Sequence, residues 1–421
     1  APLAAVTLAN VPVFVIQLVI FGLQSGSSVL ISQYWGKGDV ESINRVMGIG
    51  CYVAGAISVL FALAMGLFPR QLMGMLTDNP ALVEIAAGYA RIVGPSYLFN
   101  SLTGIYVGAH RSMGNPRLGL VVFTISMCTN TALNWVLIFG NLGAPRLEVK
   151  GAALATLISR VVEFAAMAVY AGGNRRFRLR LSCLIRPGRE IVRKFIHYSG
   201  PVVFNEGMWG LGTSLYKVIM GHMEGSTEIL AARALAGNIE DICLVAIFAM
   251  AGTTGITVGR EIGSGRDSGT VYQVGAAMDT LALFCGLGIG LVLLAATRLF
   301  LAPVVYPLFR LSENAAGIAT MMLTFTAAAM PLRAFNTTNT VGVLRGGGDV
   351  RAAMLIDILP LWCVALPLAA LFGLGLRWGI FWVYVGVFME QAAKLGAGVR
   401  RFRSRGWIVD VTMAGRNEKR N

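Results

Sequence analysis

Apolar residues run along this chain in long unbroken stretches, of which Ala54–Phe68 and Ala282–Ala296 are typical. A helix needs about 20 mainly apolar residues to cross the ~30 Å of a bilayer's hydrocarbon. The pattern predicts eleven such helices, at 9–33, 46–67, 83–109, 118–140, 151–172, 195–220, 230–257, 271–296, 317–343, 352–374 and 378–398. The breaks between them carry proline, glycine and charge, as in Phe68-Pro69-Arg70 and Asn79-Pro80. The runs are too long and continuous to be the ten-residue alternations of a barrel. An all-α polytopic membrane protein is expected.

Composition agrees. Of 421 residues, 56% are hydrophobic and 13% charged, too few charges to cover several soluble domains, which carry about 25%. Glycine, at 51 residues, suits helices that approach closely through small side chains. The six cysteines are scattered, without a CxxC, and mostly lie in apolar runs. They read as packing residues rather than disulfide or zinc ligands. With three histidines, His110, His197 and His222, neither a metal nor an enzymatic centre is expected, and no cofactor.

Charge separates the two sides of the chain. One set of alternate connections, with the C-terminal stretch, holds 24 Lys and Arg, among them Lys37, Arg45, Arg111, Arg117, Arg260, Arg266, Arg345 and Arg351, whereas the opposite set holds six. The positive-inside rule makes the rich side cytoplasmic, in the cell membrane. The basic run Arg175–Arg180 is then a loop beside anionic lipid rather than a nucleic-acid site.

The chain also matches itself. Leu3-Ala4-Ala5 meets Leu230-Ala231-Ala232, Ile20-Phe21 meets Ile247-Phe248, and Gly36-x-Gly38 meets Gly263-x-Gly265. Further on, Pro95-x-x-x-Phe99-Asn100 mirrors Pro331-x-x-x-Phe335-Asn336, and Arg111-x-x-Gly114-x-x-Arg117 mirrors Arg345-x-x-Gly348-x-x-Arg351. Polar pairs recurring in one order point to a parallel repeat. The expected parts are an N-terminal bundle at 1–172, a basic cytoplasmic linker at 173–194, a C-terminal bundle at 195–399 and a cytoplasmic tail at 400–421. The span at 195–220 has no partner in the first half. Twelve spans are therefore expected, with the N-terminal helix missing before Ala1.

Ile31-Ser32-Gln33-Tyr34-Trp35-Gly36-Lys37-Gly38-Asp39, its counterpart Gly255–Gly265, Leu344-Arg345-Gly346-Gly347-Gly348-Asp349 and Asn130-x-x-x-Asn134-x-x-Leu137-Ile138-Phe139-Gly140 resemble segments of the multidrug and toxic compound extrusion (MATE) transporters. The resemblance runs from Leu3 to about Trp407. It implies two six-helix bundles and cation-coupled export of amphipathic, often cationic drugs by alternating access, driven by protons or sodium. Pro201-x-x-x-Asn205-Glu206-x-x-Trp209 resembles the helix on which many members carry a coupling Glu, at the position of Glu206. Asn134 and Asn336 stand where several members have Asp.

Glu206 lies about eleven residues into its span, roughly 16 Å of rise and near mid-membrane, where an ionised carboxylate costs about 2.5–3.5 kcal/mol on insertion scales. It is a coupling group or a hydrogen-bonded tie between helices. Asn205 and Trp209 neighbour it on the helix. Asn130 and Asn134 share a face, and either hydrogen-bond across the first bundle or offer carbonyl oxygens to a cation. Arg333, three residues before Asn336, is a counter-charge to a carboxylate, a cavity-facing group or a side chain reaching for the cytoplasmic face. The adjacent acids Glu240 and Asp241 are weaker coupling candidates, one of them expected to pair with Arg233, and Glu390 is expected to pair with Lys394. Asp279 and Asp357 are expected to reach the membrane surface or pair with Arg351. Tyr97, Phe99, Phe335 and Trp209 are candidates to stack on flat cations. The expected partners are drug-like small molecules and the lipid bilayer, with no nucleic acid, acting as a monomer. A lipid-linked precursor flippase of related fold is the second reading, and an integral-membrane enzyme a more distant one.

Overall fold

The computed structural model describes residues 2–174 and 177–413. Among them every regular element is helical. In chain order these are α1 (Pro2–Lys37), α2 (Val40–Leu67), α3 (Pro69–Gly74), α4 (Pro80–Val93), α5 (Ser96–Ser112), α6 (Arg117–Phe139), α7 (Glu148–Gly173), α8 (Leu181–Ile185) and α9 (Arg189–Gly221). They continue with α10 (Ser226–Gly263), α11 (Ser268–Leu308), α12 (Glu313–Leu344), α13 (Val350–Gly375) and α14 (Ile380–Arg403). The chain divides into two compact units, Ala1–Glu206 and Gly207–Asn421. The division runs through α9.

Each of the eleven expected spans falls on helix. Eight helices among the described residues (α1, α2, α6, α7, α10, α11, α12 and α13) are long and apolar enough to cross a membrane. The expected span at 83–109 is two helices, because Gly94-Pro95 interrupts it between α4 and α5. The spans on α9 and α14 carry buried charge, Glu206 on one and Glu390 and Lys394 on the other. Apolar side chains such as Leu60, Val245 and Val292 remain exposed, as lipid-facing helix surfaces do.

Glycine explains the close packing. A Cβ on Gly151 of α7 would lie 2.5 Å from the Leu137 carbonyl oxygen of α6. One on Gly290 of α11 would lie 2.5 Å from the Ala327 carbonyl oxygen of α12, and Gly286, a turn earlier, is equally crowded by Met330 and Ala334. With no water to drive association in lipid, such backbone approaches supply the van der Waals contact that holds helices together.

The mirrored turns share backbone geometry. Gly38 and Gly265 have φ of 78° and 75°, and Gly114 and Gly348 have 81° and 97°, a left-handed region in which other residues are strained. Each Gly-x-Gly turn is followed by an aspartate that caps the next helix. Asp39 accepts from the Ser42 amide at 3.0 Å. Asp267 accepts from the Thr270 hydroxyl at 2.6 Å and its amide at 2.9 Å, bonds that hold its carboxyl below the usual carboxylate range. Departures from α-geometry concentrate in the second unit, where π-helical turns occupy Thr297–Val305, Thr338–Leu344, Leu361–Ala365 and Leu371–Gly375.

Candidate functional site

In the first unit, α1 and α5 enclose a cavity of about 330 Å³, lined by Phe14, Gln17, Phe21, Gln24, Tyr97 and Asn100 among others. α5 makes room for it with small residues. A Cβ on Gly104 would lie 2.5 Å from Gln24 Nε2, and Gly108, one turn on, also faces Gln24. Ser101, another lining residue, accepts a 2.7 Å bond from Ser58 of α2. The lining is aromatic and amide in character and carries no ionised side chain. Cavities of roughly 300–1,000 Å³ with a few convergent polar groups are typical of small-molecule sites. Tyr97 lines the cavity and packs edge-on against Phe61 at 5.3 Å. Phe99 turns to Phe164 of α7 at 5.6 Å.

Helix α9 packs antiparallel on α1 through two glycines. A Cβ on Gly26 would lie 2.5 Å from the Ser199 Cα, and one on Gly22 2.8 Å from the Val203 Cα. Glu206 is 9% exposed and Asn205 is buried. Trp209, three residues on, is part-buried against the second unit's apolar core.

Asn130 and Asn134 bond to each other at 3.0 Å, and Asn130 reaches Ser159 of α7 at 3.4 Å. They tie α6 to α7, next to the buried ion pair Arg160–Glu163 on α7. The sequence did not single that pair out.

The second unit holds its polar groups differently. Glu240 of α10 lies between Arg233, at 2.6 Å, and Arg333 of α12. Arg333 is therefore a counter-charge, not a side chain reaching for the membrane surface. Of the two adjacent acids, Glu240 is the one that pairs with Arg233, and it is shared with Arg333. Lys394, buried on α14, bridges Asp357 of α13 at 2.6 Å and Glu390 at 2.8 Å, and Tyr216 of α9 donates to Glu390 at 3.4 Å. Asn336 donates to the Gln391 carbonyl oxygen at 2.8 Å and to its Oε1 at 3.0 Å. Phe335 is half-buried beside it.

Two expectations are corrected. Asp279 is buried and accepts from Asn339 at 2.7 Å, because the π-turn at Thr338–Leu344 presents Asn339 to α11. Asp357 pairs with Lys394 rather than reaching the membrane surface or Arg351. Charges this deep are stable only when paired or hydrogen-bonded.

A model of the MatE family matches residues 1–136 and 202–371. The chain belongs to the MatE family. This MatE protein is 29% identical over 413 residues to a probable multidrug resistance protein NorM of Bradyrhizobium diazoefficiens, covering 95% of this chain and 85% of that one. It is 26% identical over 411 residues to the uncharacterized transporter YisQ of Bacillus subtilis, covering 96% and 87%. In fold it resembles a MOP superfamily transporter from Pyrococcus furiosus, with a TM-score of 0.84, 22% identity and coverage of 96% and 88%. A mutant of the Vibrio cholerae MATE transporter VcmN gives 0.80, 21%, 97% and 90%. Membership and the long apolar helices together make this a multi-pass membrane protein with a transport role.

Proposed function

We propose that this MatE protein exports amphipathic, often cationic small molecules through the cell membrane in exchange for protons or sodium ions, by alternating access. In this reading the eleven helical segments all span. They form two homologous bundles, with the basic loops and the C-terminus on the cytoplasmic side. Substrate enters the first unit's cavity, where Phe14, Phe21 and Tyr97 offer π faces to a flat cation and Gln17, Gln24 and Asn100 orient its polar groups. Glu206 carries the coupling ion. A cation bound there favours one conformation and substrate the other, and only that difference in affinity moves the equilibrium.

The observation that carries the reading is Glu206 itself. It is a buried carboxylate midway along α9, three residues beyond Val203, whose Cα packs against Gly22 of the cavity-forming helix α1. An ionisable group held at that depth is costly and functional by default. A flippase for lipid-linked precursors would ask for a groove of available cations. The second unit's Arg233 and Arg333 are instead both closed on Glu240.

The test is dye extrusion from cells expressing the protein, with the proton and sodium gradients collapsed separately. Collapse of one gradient stops extrusion and identifies the ion. Extrusion equal to that of empty cells for every amphipathic cation tried contradicts the proposal.

A further inference from the structure

The stretch that follows the last helix of each half is short and basic, and its composition reads as solvated loop or tail. In both halves it is instead fastened to its own unit. In the first unit the chain leaves α7 at Gly173. Asn174 then bonds to His110 Nε2 at 3.1 Å and accepts from the Phe177 amide at 3.2 Å. Phe177, 2% exposed, stands edge-on to the His110 ring at 5.4 Å. Asn44 of α2 accepts from the Arg180 amide at 3.1 Å and donates to the Arg178 carbonyl at 3.3 Å. One side-chain amide thus satisfies two main-chain groups of the extended segment before α8. Beyond it α8 lies on α2 so closely that a Cβ on Gly48 would be 2.8 Å from the Leu184 Cα.

In the second unit the chain leaves α14 at Arg403, and the expected tail is described as far as Met413. Trp407 is 0% exposed and Val411 is buried. The Trp407 indole N–H donates to the Phe402 carbonyl at 2.9 Å. The Val409 amide donates to the Gly347 carbonyl at 2.8 Å, and Ile408 pairs antiparallel with Gly348. Arg401 Nε holds Asp349 Oδ2 at 2.6 Å. A Cβ on Gly347 would fall 2.4 Å from the Trp407 ring, and one on Gly275 of α11 3.2 Å from it. The Gly346-Gly347-Gly348 run therefore has a steric reason: Gly347 and Gly348 lie under the tail, while a Cβ on Gly346 would collide with Gly255 of α10.

The two segments share no sequence, yet they seat on corresponding ground. Each meets a mirrored Arg-x-x-Gly segment, at His110, the helical residue just before Arg111, or at Gly347 and Gly348. Each also crosses a glycine in the third turn of the helix after a mirrored Gly-x-Gly turn, Gly48 of α2 or Gly275 of α11. Each seat combines an aromatic plug, main-chain pairing and a bare glycine. Recurrence of all three at matching sites is more than a loop or tail folded back by chance would give.

We infer that residues 177–185, with Asn174, and residues 404–412 are a matched pair of intramolecular straps, each occupying a built peptide seat that binds the helix start and the Arg-x-x-Gly segment of its own half into one body. The seat stands on the contacts above. Its consequence, that each half moves as a unit during transport, rests on the proposed alternating access.

The test compares two single-cysteine variants of the full chain in native membranes, Val411→Cys at a buried position and Met413→Cys at an exposed one, with maleimide labelling followed by peptide mass. The thiol of the Val411→Cys variant labels at least about tenfold more slowly than that of Met413→Cys, because labelling must await local opening. Trp407→Ala abolishes the difference, and Trp407→Phe restores it. Val409→Pro, which removes the N–H bonded to Gly347 and restricts the backbone at Ile408, speeds labelling at position 411. Extrusion falls with each release, and with Phe177→Ala in the other strap. Equal labelling of the two variants in the otherwise unaltered background overturns the seat. Released straps with full extrusion overturn the mechanical role. Failure of the parent protein to extrude anything would sink the transport reading while leaving the labelling result to decide the strap.

Discussion

Tyr97 and Asn100 of the first unit and Arg333 and Asn336 of the second stand in mirrored segments, yet their surroundings are opposite in kind. The first pair lines a cavity with Gln17 and Gln24 and meets no ionised partner there. In the second, Arg333 is closed on Glu240 and Asn336 on Gln391. Segments of mirrored sequence thus line an uncharged cavity in one half and join a network of paired polar groups in the other. The exchange of Tyr97 for Arg333 is the sequence-level difference that carries most of this. A tyrosine leaves space and a π face, whereas an arginine brings a charge that must find a carboxylate.

The contrast can be broken from the ionic side. Glu240→Gln leaves the half-buried Arg233 and Arg333 without their shared, buried carboxylate, and removing one partner of a fully buried ion pair costs about 3–5 kcal/mol, an upper bound here. A thermal melt in detergent should fall sharply, whereas Glu163→Gln, which strands one arginine instead of two, should fall less. Equal losses would make the triad no different from an ordinary pair. The mirrored asparagines sharpen the comparison. Asn336→Ala strands the Gln391 groups and should cost about 1–3 kcal/mol, read in the same melt. Asn100→Ala should leave the melt unchanged and alter the concentration at which substrate half-saturates extrusion. The smallest effect belongs to the shared turns. Asp39→Ala removes a helix cap worth about 1 kcal/mol and should shift the melt slightly with no change in substrate preference.

The fold was legible because its signals are local and repeated. Apolar runs located all eight helices long and apolar enough to cross a membrane, and the mirrored Gly-x-Gly and Arg-x-x-Gly segments share left-handed glycines. The partners of the buried charges were not legible. Glu240 and Arg333 are 93 residues apart, and nothing in their local sequence distinguishes a counter-charge from a side chain reaching for the surface. Lys394 was expected to take Glu390, its i,i+4 neighbour, but Asp357 arrives from another helix and only packing brings it there. The cavity announced itself weakly, since Gln17 and Gln24 are isolated amides in an apolar run. Gly104 and Gly108, four apart on the facing helix, were the available clue. The π-turn that delivers Asn339 to Asp279 has no periodicity to read. The basic composition of residues 400–421 hid Trp407 and Val411, whose apolar character marks a docked segment.

The central claim is that a buried carboxylate on α9 couples ion entry to export, and Glu206→Gln tests it most directly. The substitution keeps size and hydrogen-bonding capacity while removing the group that binds a proton or sodium ion. Reconstituted in vesicles with an imposed gradient, the variant should fold, melt near the parent and still bind substrate, yet show no gradient-driven transport above empty vesicles. Transport at the parent's rate would remove Glu206 from the mechanism and contradict the account.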